Sequence, residues 1–318
     1  MVEDEGGDGD GMGRSKKRKF EGLDADAGSV LVSDPVLPLE PPEEEEIGEH
    51  DVVLPDTCRY LHFHNPNPRS LHAIFGSSST RYDKAKAKAT IPPHSTILQG
   101  SISSTLHVFK NTAPVFPIIT LDPPWPNRSA RRKGAYPTSR STSTATSHGP
   151  SSIHALLSSL PLHSHLATEG LIAIWITNSA SCREIVLGAG GLFEDWGVRL
   201  VEEWVWLKVT SAGLPVCELR EGGRKPFEVL LVGRRGGPAT GGGDGGEGVG
   251  VVRRRVLVGV PDLHSRKPNL RVLLEGFVGK RDGEYEGLEI FARNLTAGWW
   301  GWGNEALKFQ TEEHWVEP

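Results

Sequence analysis

Apolar residues fall along this chain in short runs separated by polar and glycine-rich stretches. Runs at residues 115–121, 171–177, 198–209, 227–232, 256–260 and 288–291 are rich in Val, Ile, Leu and Trp, as strands are when both faces of their sheet are covered. Between them, residues 151–160, 181–187 and 269–278 carry apolar positions at helical spacing, the last opening directly after Pro268 as a helix start does. This alternation predicts an α/β domain on a parallel or mostly parallel sheet with helices on both faces. Two stretches interrupt it, a Ser/Thr-rich one at 139–152 and a Gly-dominated one at 233–250, and both read as mobile loops or local insertions. Upstream, residues 56–110 hold short mixed runs at 60–64 and 71–75. A Lys/Ala run at 84–88 suits a short exposed helix or a basic patch equally, and no element is assigned there. Residues 1–55, rich in Gly, Pro, Asp and Glu, predict a disordered acidic tail. The expected organisation is this tail, an extension over 56–110 of unassigned structure, and one catalytic-size domain over 111–318.

Composition changes that picture in three places. The 318 residues are 37% hydrophobic, enough for a core somewhat smaller than the length alone suggests. The first 50 residues hold 15 Asp and Glu against 5 Lys and Arg, so a chain of net charge −5 has a mildly basic remainder, as fits contact with nucleic acid. Inside the tail, Lys16-Lys17-Arg18-Lys19 resembles a nuclear import signal. It places the chain in the nucleus, with the cytoplasm as the second compartment. Cys58, Cys182 and Cys217 make no disulfide or metal pattern and the 12 histidines are scattered, so no metal is expected. No apolar run reaches about 18 residues, and the N-terminus lacks a basic-then-apolar leader. The expectation is a soluble, non-secreted protein away from membranes, monomeric and without an obligate partner.

The candidate chemistry is concentrated in Asp122-Pro123-Pro124-Trp125, directly after the first apolar run. Such a strand end is where a parallel sheet places its ligands. Two prolines fix φ at about −65° and remove two N–H donors, so the loop offers carbonyl oxygens, one carboxylate and a flat indole. An exocyclic amine on a planar base, such as N6 of adenine, matches that acceptor array, with the ring stacking on Trp125. The bland alternative is a turn Asp and a core Trp.

Six further segments follow in order: residues 175–178 (Trp-Ile-Thr-Asn), 204–210 (Trp-Val-Trp-Leu-Lys-Val-Thr), 225–228 (Lys-Pro-Phe-Glu), 264–268 (His-Ser-Arg-Lys-Pro), 288–295 and 302–310. Together with residues 118–125 they make the stretch from about 91 to 310 resemble the MT-A70 family of S-adenosylmethionine-dependent adenine-N6 methyltransferases, most closely its methyltransferase-like protein four branch. The resemblance implies a Rossmann-like S-adenosylmethionine-dependent methyltransferase domain in permuted order, the catalytic loop preceding the cofactor strand. The late position of residues 288–294 agrees.

With that resemblance, Asp122 and the Pro123 carbonyl are assigned to the reacting amine, with Pro124 and Trp125 completing the catalytic loop. Asp122, Lys225, Glu289, Arg293, Asn304 and Glu305 are assigned to S-adenosylmethionine, with surface ion pairs as the plain alternative. Arg131, Arg132 and Tyr136, with Lys225 and Trp125, are assigned to the substrate, RNA or DNA carrying the target adenine. The polar groups of residues 264–268 suit the methionine end of the cofactor, a phosphate, or merely a helix cap. One departure stands out: where the family often has an acidic residue against the cofactor's adenine, this chain has Ser101. Two functions remain open, an active adenine-N6 methyltransferase and a catalytically silent nucleic-acid-binding or scaffolding member. The intact Asp122 loop favours the first, and an aminomethyltransferase acting on cytosine N4 is a weaker third.

Overall fold

The computed structural model describes residues 30–32, 51–55, 60–76, 88–126, 150–218, 225–236, 251–279 and 285–314. In chain order these give β1 (Val30–Val32), β2 (Asp51–Pro55), β3 (Leu61–His64), β4 (Leu71–Gly76), β5 (Lys88–Ile91), β6 (Thr96–Gln99), α1 (Ile102–Thr112) and β7 (Phe116–Leu121). There follow α2 (Pro150–Ser158), α3 (Leu162–His165), β8 (Leu166–Ile176), α4 (Ala180–Leu187), α5 (Leu192–Asp195), β9 (Val198–Lys208) and β10 (Phe227–Arg235). The chain ends through β11 (Arg253–Gly259), α6 (Arg271–Val278), β12 (Gly287–Ile290) and β13 (Trp299–Gly303).

Ten strands form one sheet in the order β1-β3-β6-β13-β12-β7-β8-β10-β9-β11, and β2, β4 and β5 form a small second sheet. The centre is parallel, with β6 beside β13, β13 beside β12, β12 beside β7 and β7 beside β8. Strand β10 runs antiparallel between β8 and β9, which restores β9 and its parallel neighbour β11 to the direction of the centre. The carboxyl ends of eight strands, and the starts of β3 and β10, therefore share one edge, the edge at which open α/β sheets bind ligands.

Both faces are covered. On one, α1, α2, α4 and α5 bury Phe109, Ile153, Val186 and Phe193 against Ile119, Leu121, Ile172 and Leu288. On the other, α6 buries Leu274 against Ile118, Trp175, Trp204 and Trp299. Close packing fixes residue choice at Gly287, where a Cβ would come within 2.3 Å of the Trp299 ring in the neighbouring strand. The small sheet packs over Leu61, Phe63, Ile97 and Leu295 as a satellite core.

Six strands and three helices lie where the apolar runs predict them, with ends shifted by a few residues; β8 begins five residues early, at Leu166. Three expectations are corrected. The tail is not wholly without structure, because Val30–Val32 adds to the edge of β3 and Asp51–Pro55 pairs with β4. The division at residue 110 is not a structural boundary, because β3 and β6 belong to the main sheet and β6 hydrogen-bonds β13. The glycine-rich stretch begins later than residue 233, since β10 continues to Arg235. The sheet is mixed, because β3 and β10 run against the other eight strands. Among the described residues, no helix is long and apolar enough to cross a membrane.

Candidate active site

Asp122 leaves β7 at the shared edge, its backbone N–H donating to the Ile290 carbonyl of β12 at 3.3 Å. The side chain is 16% exposed, and its Oδ2 takes both Lys267 Nζ at 3.1 Å and Arg293 Nη1 at 3.2 Å. Among the described residues Oδ1 has no side-chain partner, which leaves it open to an incoming donor. Burial pushes the Asp122 carboxyl above its usual range, while the Lys267 and Arg293 charges pull the other way.

The loop itself is rigid. The Pro123 carbonyl accepts the Trp125 N–H at 2.8 Å, a bond spanning two residues that uses one lone pair and leaves the other. Trp125 differs from its assignment as a stacking surface. Only 9% exposed, it packs in the main core and its Nε1–H donates to the Trp175 carbonyl at 2.6 Å. A buried indole needs a partner for its N–H, and satisfying it here turns Trp125 into the anchor that holds the loop against β8. Pro124 is the exposed member of the four.

From β12, Glu289 lies beside Thr120 in register and lines the cleft with Asp122, Trp175, Lys267, Asn294 and Trp299. Burial pushes its pKa up to about 7, with the Asp122 charge adding to the rise and Arg293 and Lys267 opposing it. Just beyond, Phe291 has φ 62°, and across the cleft Ser265 has φ 71°. Left-handed backbone at two non-glycine residues costs on the order of 1–3 kcal/mol each and is characteristic of functional sites. The strained Ser265 carbonyl accepts Arg293 Nη1 at 3.1 Å. Arg293 Nε reaches Glu305 Oε2 at 3.1 Å, and Glu305 also pairs with Lys308 at 2.9 Å. Burial acts to raise the Glu305 pKa, but Lys308 and Arg293 outweigh it and hold the carboxyl below its ordinary value.

The structure thus gathers Asp122, Glu289, Arg293 and Glu305 at one edge, with exposed Asn304 following β13. Lys225 stands just before β10 at the same edge, but the lysine that meets Asp122 is Lys267. Lys267 Nζ also reaches Glu228 Oε2 at 3.0 Å and lies 5.7 Å from the centre of the Trp175 ring. Sequence reasoning matched the 264–268 segment to the methionine end of the cofactor, a phosphate or a helix cap, and assigned no role to Glu228 or Asn294. Their signal was present as polar residues within quoted segments that follow or begin strands. Ser101 is accounted for locally, as the N-cap of α1 whose Oγ accepts the Ser104 N–H. Arg131, Arg132 and Tyr136 lie outside the described residues, as do Lys16-Lys17-Arg18-Lys19. Among the described residues no group of three or more His, Cys, Asp or Glu is placed to hold a metal ion.

Residues 116–305 match the MT-A70 family model. The chain is 50% identical over 229 residues to the N6-methyladenosine RNA methyltransferase MTA1 of Cryphonectria parasitica, covering 72% of this chain and 63% of that protein. It is 34% identical over 240 residues to the N(6)-adenine-specific methyltransferase METTL4 of Homo sapiens, covering 72% and 45%. A DNA N6-methyl methyltransferase of Caenorhabditis elegans is 30% identical over 227 residues, covering 71% and 55%. The aligned stretch thus spans about half to three-fifths of these relatives' length.

Proposed function

The chain belongs to the MT-A70 family, and from that premise we propose that it transfers a methyl group from S-adenosylmethionine to the N6 amine of adenine in RNA or DNA. The observation that carries this reading is Asp122, a largely buried carboxylate at the sheet edge with one oxygen fixed by two cations and the other without a side-chain partner among the described residues. Adenine N6 is a poor nucleophile because its lone pair is delocalised into the ring. An acceptor preorganised at its hydrogens favours the tetrahedral nitrogen needed for attack and orients it. Asp122 Oδ1 and the second lone pair of the Pro123 carbonyl supply such acceptors. The proton is lost after the methyl arrives, so no dedicated base is required.

The donor set fits the implied cofactor. S-adenosylmethionine carries an ammonium, a carboxylate, a sulfonium and ribose hydroxyls, and the cleft alternates carboxylates with cations. Glu289 and Asp122 suit the positive groups, Arg293, Lys267 and Asn294 the carboxylate, and Asn304 and Glu305 the hydroxyls. When bound, the cofactor supplies the electrophilic methyl. The basic cluster at residues 16–19 supports a nuclear location for this activity.

The test is incubation of the full chain with radiolabelled S-adenosylmethionine and matched RNA and DNA oligonucleotides, followed by nucleoside mass analysis. Label on N6-methyladenine in one polymer is the expected result. Label on cytosine, or none on either polymer, overturns the reading.

A further inference from the structure

The ion pairs at the sheet edge continue beyond the residues used above. Lys208 closes β9, and its ammonium donates to Glu228 Oε1, the carboxylate whose other oxygen holds Lys267 at 3.0 Å. Glu228 lies in register with Trp206 across the β9–β10 pair. Charge therefore alternates from Lys208 through Glu228 and Lys267 to Asp122. Aromatic rings support the same path. Lys208 Nζ sits 4.6 Å from the centre of the Trp206 ring, Trp206 meets Trp175 edge-on at 6.0 Å, and Lys267 rests on Trp175. The backbone of Lys208 is pinned on both sides, its N–H donating to the Pro226 carbonyl at 2.7 Å and its carbonyl accepting the Val216 N–H at 3.0 Å.

We propose that Lys208 is a positioning residue, which by anchoring and neutralising Glu228 keeps Lys267 on Asp122. The inference rests on Asp122 being the acceptor of the methyl-transfer reading. Lys267 is shared between two carboxylates at nearly equal distances, 3.0 and 3.1 Å, so its balance depends on the charge each presents. Without Lys208, Glu228 presents a full unshared charge and draws Lys267 away. Asp122 then keeps Arg293 alone against the negative charge of Glu289 and Glu228, and its ionisation becomes harder. Removing the Glu228 charge does the opposite, because Lys267 is left to Asp122. Burial acts to raise the Glu228 carboxyl, and Lys267 and Lys208 together hold it below its ordinary range, as this sharing requires.

The experiment is a carbon-13 carboxyl titration of the full chain with labelled aspartate, the Asp122 signal assigned by its loss in Asp122→Asn. Lys208→Met is expected to move the Asp122 midpoint upward by about one pH unit, a tenfold change in proton affinity, and Lys208→Arg to return it close to wild type. Glu228→Gln is expected to move it downward. A residue that merely supported the fold would not give opposite shifts at two neighbouring positions. An unmoved midpoint in Lys208→Met, or shifts of the same sign in both variants, overturns the proposal. Methyl transfer by the same proteins separates it from the reading beneath it. Opposite shifts without transfer by wild type keep the positioning network and remove the activity, whereas transfer with unmoved midpoints does the reverse.

Discussion

Glu289 offers the most direct physical test of the site, because its carboxyl is held against its own charge. Its pKa stands at about 7 against an ordinary 4.5, raised first by burial and then by Asp122. At about 1.4 kcal/mol per pH unit, ionising it in the fold costs on the order of 3 kcal/mol more than in the unfolded chain. The sign follows from linkage. The folded state keeps the proton longer, so the contribution to stability is fully present below pH 4.5, declines as pH rises and is gone above about 7. Glu289→Gln keeps the shape and removes the titration. Asp122 is shifted in the same direction, while Glu228 and Glu305 are shifted oppositely. The quantity to read is therefore the difference between variant and wild type rather than either curve alone. Urea unfolding of both proteins at pH 5 and pH 8 is the assay. The variant should gain about 2–3 kcal/mol on wild type between the two conditions. A difference that stays flat across that range would mean that Glu289 is solvated or already paired, and the description of the cleft as a carboxylate pair offset by Lys267 and Arg293 would fall.

The fold was legible wherever burial on both faces produced a continuous apolar run, as in residues 115–121 and 227–232. It was not legible where the pattern was diluted. Strand β13 reads Trp-Trp-Gly-Trp-Gly, and its glycines are there for close packing: a Cβ at Gly301 would come within 2.6 Å of Leu295. Its tryptophans favour a strand, but the two glycines in five residues break the continuous apolar run by which the other strands were read. Helix α1, across the assumed boundary at residue 110, was hidden because its sequence mixes Ser, Thr, His and Lys with four apolar residues in eleven. At the site, Asp122 stood out in the sequence as a carboxylate at a strand end, whereas Glu289 and Glu305 were reached only through the family resemblance. The partner of Asp122 was not readable, because Lys225 and Lys267 each precede a proline at this edge and only the three-dimensional path of the chain decides which one arrives. For Trp125, sequence gives an aromatic beside acceptors, but its burial depends on neighbours such as Trp175, which lies 50 residues away in the chain.

Asp122→Asn should lower methyl transfer by about 10²–10³ with the unfolding midpoint little reduced; turnover above half of wild type would remove Asp122 from the chemistry. Arg293→Ala breaks contacts to Asp122, Glu305 and the Ser265 carbonyl, so calorimetry should show weaker S-adenosylmethionine binding. A selective loss of oligonucleotide binding instead would invert the assignment. Replacing Lys16 to Lys19 by alanine should move a fluorescent fusion out of the nucleus while leaving activity in vitro intact, and an unchanged nuclear signal would place import elsewhere. Trp125 separates anchoring from stacking. As a core indole that fills space and satisfies one buried carbonyl, it should cost about 3–5 kcal/mol of stability when replaced by Ala. Replacement by Phe keeps most of the volume and removes the hydrogen bond to the Trp175 carbonyl, at about 1–3 kcal/mol. Were the ring instead a platform for the base, Trp125→Phe would retain stability and most substrate affinity, and Trp125→Ala would lose substrate affinity with little loss of stability. Chemical unfolding and oligonucleotide titration of the two variants distinguish these patterns, and the low exposure of Trp125 with its bond to the Trp175 carbonyl predicts the first.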